Sequence, residues 1–238
     1  MDKIFTKNIE HESAVKHVTG KAIYTDDISE PKNLLHAVIG YSNCSKGVIK
    51  KIDYKDVLSS EGVVDIITEK DIEGINDVGP IFKGDKIFTS KNIEYYGQPI
   101  FAVIAKTNNL AKKAALKVKI DLKISKPIVS IEEALKKKSF VLKPKYLTRG
   151  NIKDGFKKSD NILKGKLYSG GQDHFYLEGQ IAMTIPQEDN NFLVYSSTQH
   201  PSETQQIIGK VLKQNYNSIH VIVRRIGGGF GGKETQSF

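Results

Sequence analysis

The spacing of apolar and polar positions divides the chain into short strands and helices that follow one another closely. Residues 35–41 and 47–53 are apolar runs of strand length. Residues 63–68 are dense in β-branched side chains and read as a buried strand. Between these runs, residues 53–58 begin a short helix that stops near Gly62, a glycine where a helix C-terminus favours one. Residues 70–90 carry Gly74, Gly79, Pro80 and Gly84 and read as loop. Residues 100–105 are continuously apolar and form a second buried strand. Asn108 or Asn109 then caps a helix that reaches Leu116. Residues 117–122 alternate, so one face of that strand meets water.

The pattern breaks over residues 123–160. Pro127 and Pro144 bracket a short helix in which Ser130 and Glu133 make a capping box. Its surroundings are rich in Lys, Ser, Gly and Asn, which marks a linker or domain boundary. From about residue 161 the strand pattern resumes. Residues 162–168, most of 175–185, 192–196 and 219–223 read as strands. Residues 201–213 place Ile207, Ile208, Val211 and Leu212 at helical spacing. This last unit is small and can bury only a thin core by itself.

Composition narrows the classes. The 238 residues are 39% hydrophobic and 26% charged, a balance typical of a water-soluble globular protein. No run approaches the roughly 18 apolar residues that span a bilayer, and residues 1–7 lack the apolar core of a signal peptide. A cytoplasmic protein with no membrane partner is expected. The single cysteine, Cys44, cannot form an internal disulfide or a thiolate metal site. The net charge of +9 comes from scattered Lys, while Arg is scarce and no aromatic pattern of RNA-binding type is present. Solvated Lys faces account for the charge, and no nucleic-acid partner is expected.

Three segments carry candidate chemistry. Residues 224–235 contain five glycines around Phe230, then Lys233 and Glu234. The stretch is one residue from a phosphate-binding loop, but Glu234 stands where Ser or Thr would hold magnesium. Glycines let a backbone approach a ligand closely, so N–H groups presented to a bound group explain the segment better than a bare turn. Residues 170–178 set Gln172, Asp173, His174, Tyr176 and Glu178 beside a glycine pair. Their spacing matches no zinc signature, and on a strand His174, Tyr176 and Glu178 would share one face. Residues 196–201 end a strand and start a helix at Pro201. No nucleophile elbow surrounds Ser197, which argues against a Ser–His pair with His200.

Taken with residues 11–28 and the run Tyr96-Gly97-Gln98-Pro99, these segments resemble the molybdopterin-binding subunit of bacterial xanthine dehydrogenases, within the wider xanthine dehydrogenase and aldehyde oxidase family. The resemblance implies an α+β chain. It comprises a lead-in at 1–19, an α/β hammerhead domain at 20–125, a linker at 126–160 and, at 161–238, the truncated N-terminal part of a molybdenum-cofactor-binding domain. It implies hydroxylation of a purine (hypoxanthine to xanthine and urate) with oxygen from water, at molybdenum–molybdopterin. The 2Fe-2S clusters, FAD and NAD are implied on partner domains or an FAD/iron–sulfur subunit. Such cofactors carry the redox chemistry while protein groups position and tune them.

Residue by residue, Gln172 matches the glutamine that approaches the molybdenum centre. Phe230 matches the phenylalanine whose backbone N–H serves the same centre, flanked by Gly229 and Gly231. Gln172 and Phe230 are outer contacts, not metal ligands. Glu234 matches the carboxyl group that binds the purine. The family's base glutamate, its purine-sandwiching phenylalanines and the remainder of the molybdenum-binding domain have no counterpart in this sequence. The segment alone is therefore expected to be inactive, as half of a split gene or a fragment would be. The competing expectations are an aldehyde or other N-heterocycle hydroxylase of the same family and a non-catalytic hammerhead module for binding or assembly.

Overall fold

The computed structural model describes residues 9–79 and 82–234. All of the N-terminal seven residues read for a signal, together with Pro80 and Thr235, lie outside the described residues. Chain contacts separate two compact units: one runs up to Ser125 and resumes at His174, the other is Lys126–Asp173.

The first unit contains two antiparallel sheets before Ser125. Strands β1 (His36–Tyr41), β3 (Val63–Thr68) and β5 (Pro99–Ala105) form one, with β5 in the middle. Strands β2 (Gly47–Asp53), β4 (Asn92–Ile93) and β6 (Lys119–Ile124) form the other, with β2 in the middle. Central position explains why β5 is almost wholly buried. Phe101 is fully buried and meets the Tyr54 ring edge-on at 5.2 Å. Burial pushes the Tyr54 hydroxyl up to about 12, and the Asp71 charge adds to the rise. Gly40 faces the Phe101 ring so closely that a Cβ there would overlap it.

Short helices accompany these sheets. Helix α1 (Ala14–Val18) lies in the lead-in, and α2 (Lys55–Leu58) precedes β3. Helix α3 (Asn108–Ala115) packs Ala111 and Ala114 into the core. Its cap is Thr107, whose Oγ1 accepts the Leu110 N–H, one residue before the expected asparagines. The expected burial of residues 63–68 is corrected: β3 is an edge strand, and Val64, Asp65 and Ile67 are exposed. A β-branched run fits a pleated surface whether one or both faces are covered.

After His174 the same unit adds a third sheet. Strands β7 (Ala182–Pro186), β8 (Phe192–Ser196) and β9 (Ile219–Ile222) lie in that order, antiparallel then parallel. Helix α6 (Pro201–Leu212) makes the crossover between the two parallel strands. Val194, Ile207 and Ile219 are the buried apolar residues of this region. The last carbonyls of α6 are capped from far away: Lys210 and Val211 accept the N–H groups of Ile75 and Gly74, at 3.2 and 2.9 Å. The strand expected over 175–185 begins only at Ala182.

The second unit, Lys126–Asp173, carries helices α4 (Ile131–Lys136) and α5 (Ile152–Lys158) and no strand. Ser130 Oγ accepts the Glu133 N–H, and Asn151 Oδ1 accepts the Asp154 N–H, so both helices are side-chain capped. The strand expected at 162–168 is absent, and Ile162, Leu163, Leu167 and Tyr168 are exposed. Alternation predicts a strand only where a neighbour exists to pair with it. Among the described residues, no helix is long and apolar enough to cross a membrane.

Candidate functional site

Parallel pairing of β8 and β9 brings the chain after Ser196 and the chain after Ile222 out at the same sheet edge. Residues 197–200 and the glycine segment therefore meet. The meeting point is a tight turn at Gly229–Gly232, closed by the Gly232 N–H donating to the Gly229 carbonyl at 2.7 Å. Phe230 has φ of 51° and Gly231 has φ of 88°, so both central residues are left-handed, as in a type I′ turn. Glycine adopts this backbone freely, whereas a phenylalanine in it costs on the order of 1 kcal/mol.

Gln199 holds the turn. Its Oε1 accepts the Gly231 N–H at 2.9 Å and the Lys233 N–H at 3.3 Å. Its own N–H donates to the Lys233 carbonyl at 2.8 Å. The residues around it are locked in turn. Thr198 Oγ1 donates to the Lys233 carbonyl and accepts from the His200 N–H and the Thr204 hydroxyl. The fully buried Ser197 donates its hydroxyl to the Gly179 carbonyl and accepts the Ile181 N–H. A hydroxyl spent this way is a structural link, and His200 is exposed.

A buried ion pair fixes the other side. Lys233 is fully buried, and its Nζ lies 3.0 Å from Glu178 Oε2 and 4.8 Å from the centre of the Tyr176 ring. The same Glu178 oxygen accepts the Gly227 N–H at 2.7 Å, while Oε1 is buried without a partner among the described residues. Lys233 is thus turned into the protein, which removes the phosphate-loop reading. Among the described residues no cluster of His, Cys, Asp and Glu could hold a metal ion. The metal reading of Asp173, His174 and Glu178 therefore has no support.

Close packing explains most of the glycines. A Cβ at Gly227 would come within 2.5 Å of the Glu178 Cβ, and one at Gly232 within 2.7 Å of the Tyr176 ring. One at Gly229 would overlap the Gln199 carboxamide. The expectation that the glycines serve mainly to present N–H groups is narrowed accordingly. Gly227, Gly231, Gly232 and Lys233 donate inward, and the N–H groups of Gly228, Gly229 and Phe230 are among those without a partner among the described residues.

Of the residues singled out from sequence, Gly229, Phe230, Gly231 and Glu234 lie together on this loop. The Phe230 ring is 73% exposed and Glu234 is exposed, while Gly229 is buried. Gln172 is exposed and belongs to the other compact unit. Sequence reasoning missed the roles of Gln199, Glu178 and Lys233. A signal for Gln199 existed: loops at the carboxyl ends of adjacent parallel strands line one crevice. One further link lies upstream of the loop. Arg225 donates to the Ile23 carbonyl at 2.7 Å and to Ser13 Oγ at 3.2 Å, tying Ser13 and Ile23 to the segment between β9 and the glycines.

Comparison with known proteins matches both parts of the chain. The family model described as the aldehyde oxidase and xanthine dehydrogenase a/b hammerhead domain matches residues 19–126. The molybdopterin cofactor-binding domain model matches residues 134–238. Xanthine dehydrogenase of Dictyostelium discoideum is 39% identical over 232 residues, covering 98% of this chain and 17% of that protein. Aldehyde oxidase 1 of Bos taurus is also 39% identical over 232 residues, covering 96% of this chain and 17% of that protein. The solved aldehyde oxidoreductase of Desulfovibrio gigas superposes with a TM-score of 0.80 at 26% identity, over 93% of this chain and 27% of that one. The chain thus spans 17% of the length of these curated relatives.

Proposed function

The chain belongs to the xanthine dehydrogenase and aldehyde oxidase family, as a hammerhead domain joined to the start of a molybdopterin cofactor-binding domain, and from that premise we propose that it forms one wall of a molybdenum hydroxylase site. The observation that carries this proposal is the Gly229–Gly232 turn. It holds an aromatic residue in a left-handed backbone with its ring in solvent and its N–H unpaired among the described residues. Neither feature helps folding, and backbone strain of this kind is concentrated at functional sites.

The donor set fits the group. Successive backbone N–H groups around left-handed residues form a concavity that favours anions and oxygen ligands. They are neutral donors, and the loop's buried Lys233 is already paired with Glu178. Bound molybdenum–molybdopterin would supply the two-electron oxidation of a substrate carbon with oxygen drawn from water. In this proposal the Phe230 N–H would help hold that group, and Gly229 and Gly231 would give the backbone room to do so. Glu234, exposed beside the anchored Lys233, binds a polar edge of the substrate. The 2Fe-2S, FAD and NAD chemistry would be supplied by partner domains or an FAD/iron–sulfur subunit. We assign the boundaries as hammerhead 20–125, linker 126–160 and cofactor-binding part from 161, and we assign the 238-residue segment no turnover on its own.

The substrate is assigned as a purine, because a carboxyl group in the Glu234 position can hydrogen-bond the heterocycle's ring nitrogens and exocyclic oxygen. Equal identity to an aldehyde oxidase favours a second reading, in which a simple aldehyde is the substrate. Purified complete protein should contain molybdenum and reduce a dye with hypoxanthine. Glu234→Val should cut that rate roughly a hundredfold while leaving aldehyde oxidation intact. Activity on aldehydes alone would replace the purine assignment, and a protein without molybdenum would overturn the site.

A further inference from the structure

We infer that Gln199 is the positioning residue that aims the Phe230 N–H out of the loop. The inference rests on the molybdenum-site proposal for what that N–H meets, but its geometry stands apart from it. Gln199 clamps the turn three times: Oε1 to the N–H groups of Gly231 and Lys233, and its backbone N–H to the Lys233 carbonyl. Both side-chain bonds go to residues just after Phe230. Gly229, just before it, packs against the carboxamide with no room for a Cβ. The donors of Gly231 and Lys233 that follow Phe230 are thus consumed, and the Phe230 N–H is left without a partner among the described residues. The clamp itself has a firm base, because Ser197 and Thr198 are buried and every hydroxyl bond they make is to this same loop or to residues 179–204.

The residue type matters as well as its place. Two N–H groups converging on one acceptor need an sp² oxygen at the end of a two-carbon stem. Glutamine and glutamate meet that demand, and leucine of similar size does not. A carboxamide does so without placing a negative charge beside the outward N–H, where it would weaken attraction for an oxygen ligand. The chemistry therefore predicts that the acceptor is needed for the shape of the turn and that neutrality is compatible with an electron-rich ligand.

Residue-resolved hydrogen–deuterium exchange on the holoprotein tests this. In Gln199→Leu, the Gly231 and Lys233 amides should exchange at least about tenfold faster, the expected loss of two modest hydrogen bonds. Slowing of the Phe230 amide by the cofactor should disappear in the same variant. The Val103 amide in β5 should be unchanged, which separates a local effect from unfolding. In Gln199→Glu, which keeps the acceptor, the Gly231 and Lys233 amides should be as slow as in the parent protein. Unchanged Gly231 and Lys233 exchange in the leucine variant, or no recovery in the glutamate variant, would overturn the inference. Failure of the cofactor assignment reads out differently: Phe230 in the parent would then exchange equally fast with and without molybdenum cofactor, whatever Gln199 does.

Discussion

The sheets before Ser125 and the loop region after His174 are held by different forces. In the first, the fully buried large apolar side chains are Phe101, Ile93, Ile100, Val57 and Val103. Their removal from water, at about 25 cal/mol per Å2, is non-directional and tolerant of detail. In the second, the most buried positions include Ser196, Ser197, Thr198, Thr204 and Lys233. Such groups are tolerable only when paired, so geometry must be met bond by bond. One region is a scaffold that many sequences could fill, and the other specifies where a few N–H groups point.

Substitutions should divide along the same line. The largest effect is expected in the scaffold. Phe101→Ala removes the side chain that contacts Tyr54 and Gly40 and should cost about 3–5 kcal/mol. Chemical denaturation should show it as loss of global stability. A smaller global change there would mean that the core is less dependent on burial than the comparison holds. Next comes Glu178→Gln, which strands the charge of the buried Lys233 and should cost about 3 kcal/mol. Its loss should appear as faster exchange at Gly227 and Lys233, with the β5 amides unmoved. Adding Lys233→Met makes the pair neutral and should recover most of that stability, since a matched apolar replacement removes the unpaired charge. Equal destabilisation in the single and double variants would contradict the ion-pair account.

The same contrast explains what could be read from the chain. Strands 36–41, 47–53 and 99–105 were legible because burial leaves a period in the sequence. The edge position of β3 was not, because Val63-Val64 and Ile66-Ile67 look alike with one or both faces covered. Residues 162–168 have strand-like composition but no pairing partner, and partners are a property of the fold. The loop was legible as unusual through Phe230 among its glycines. Its supports were not: Glu178 and Lys233 are 55 residues apart, and Gln199 and Gly231 are 32 apart. Hydrogen bonds at such separations leave no local pattern. The capping residue Thr107 was misplaced by one because Thr, Asn and Asn in succession are all good caps.

The central claim of the proposed function is that the strained turn keeps the Phe230 N–H free to help hold the molybdenum cofactor. Amide exchange at Phe230, compared between cofactor-free and cofactor-loaded protein, tests it most directly. The account predicts rapid exchange in the cofactor-free protein and a slowing of at least about tenfold on loading, as one new hydrogen bond to a charged acceptor requires. Exchange at the same rate in both forms, with molybdenum present in stoichiometric amount, would contradict it.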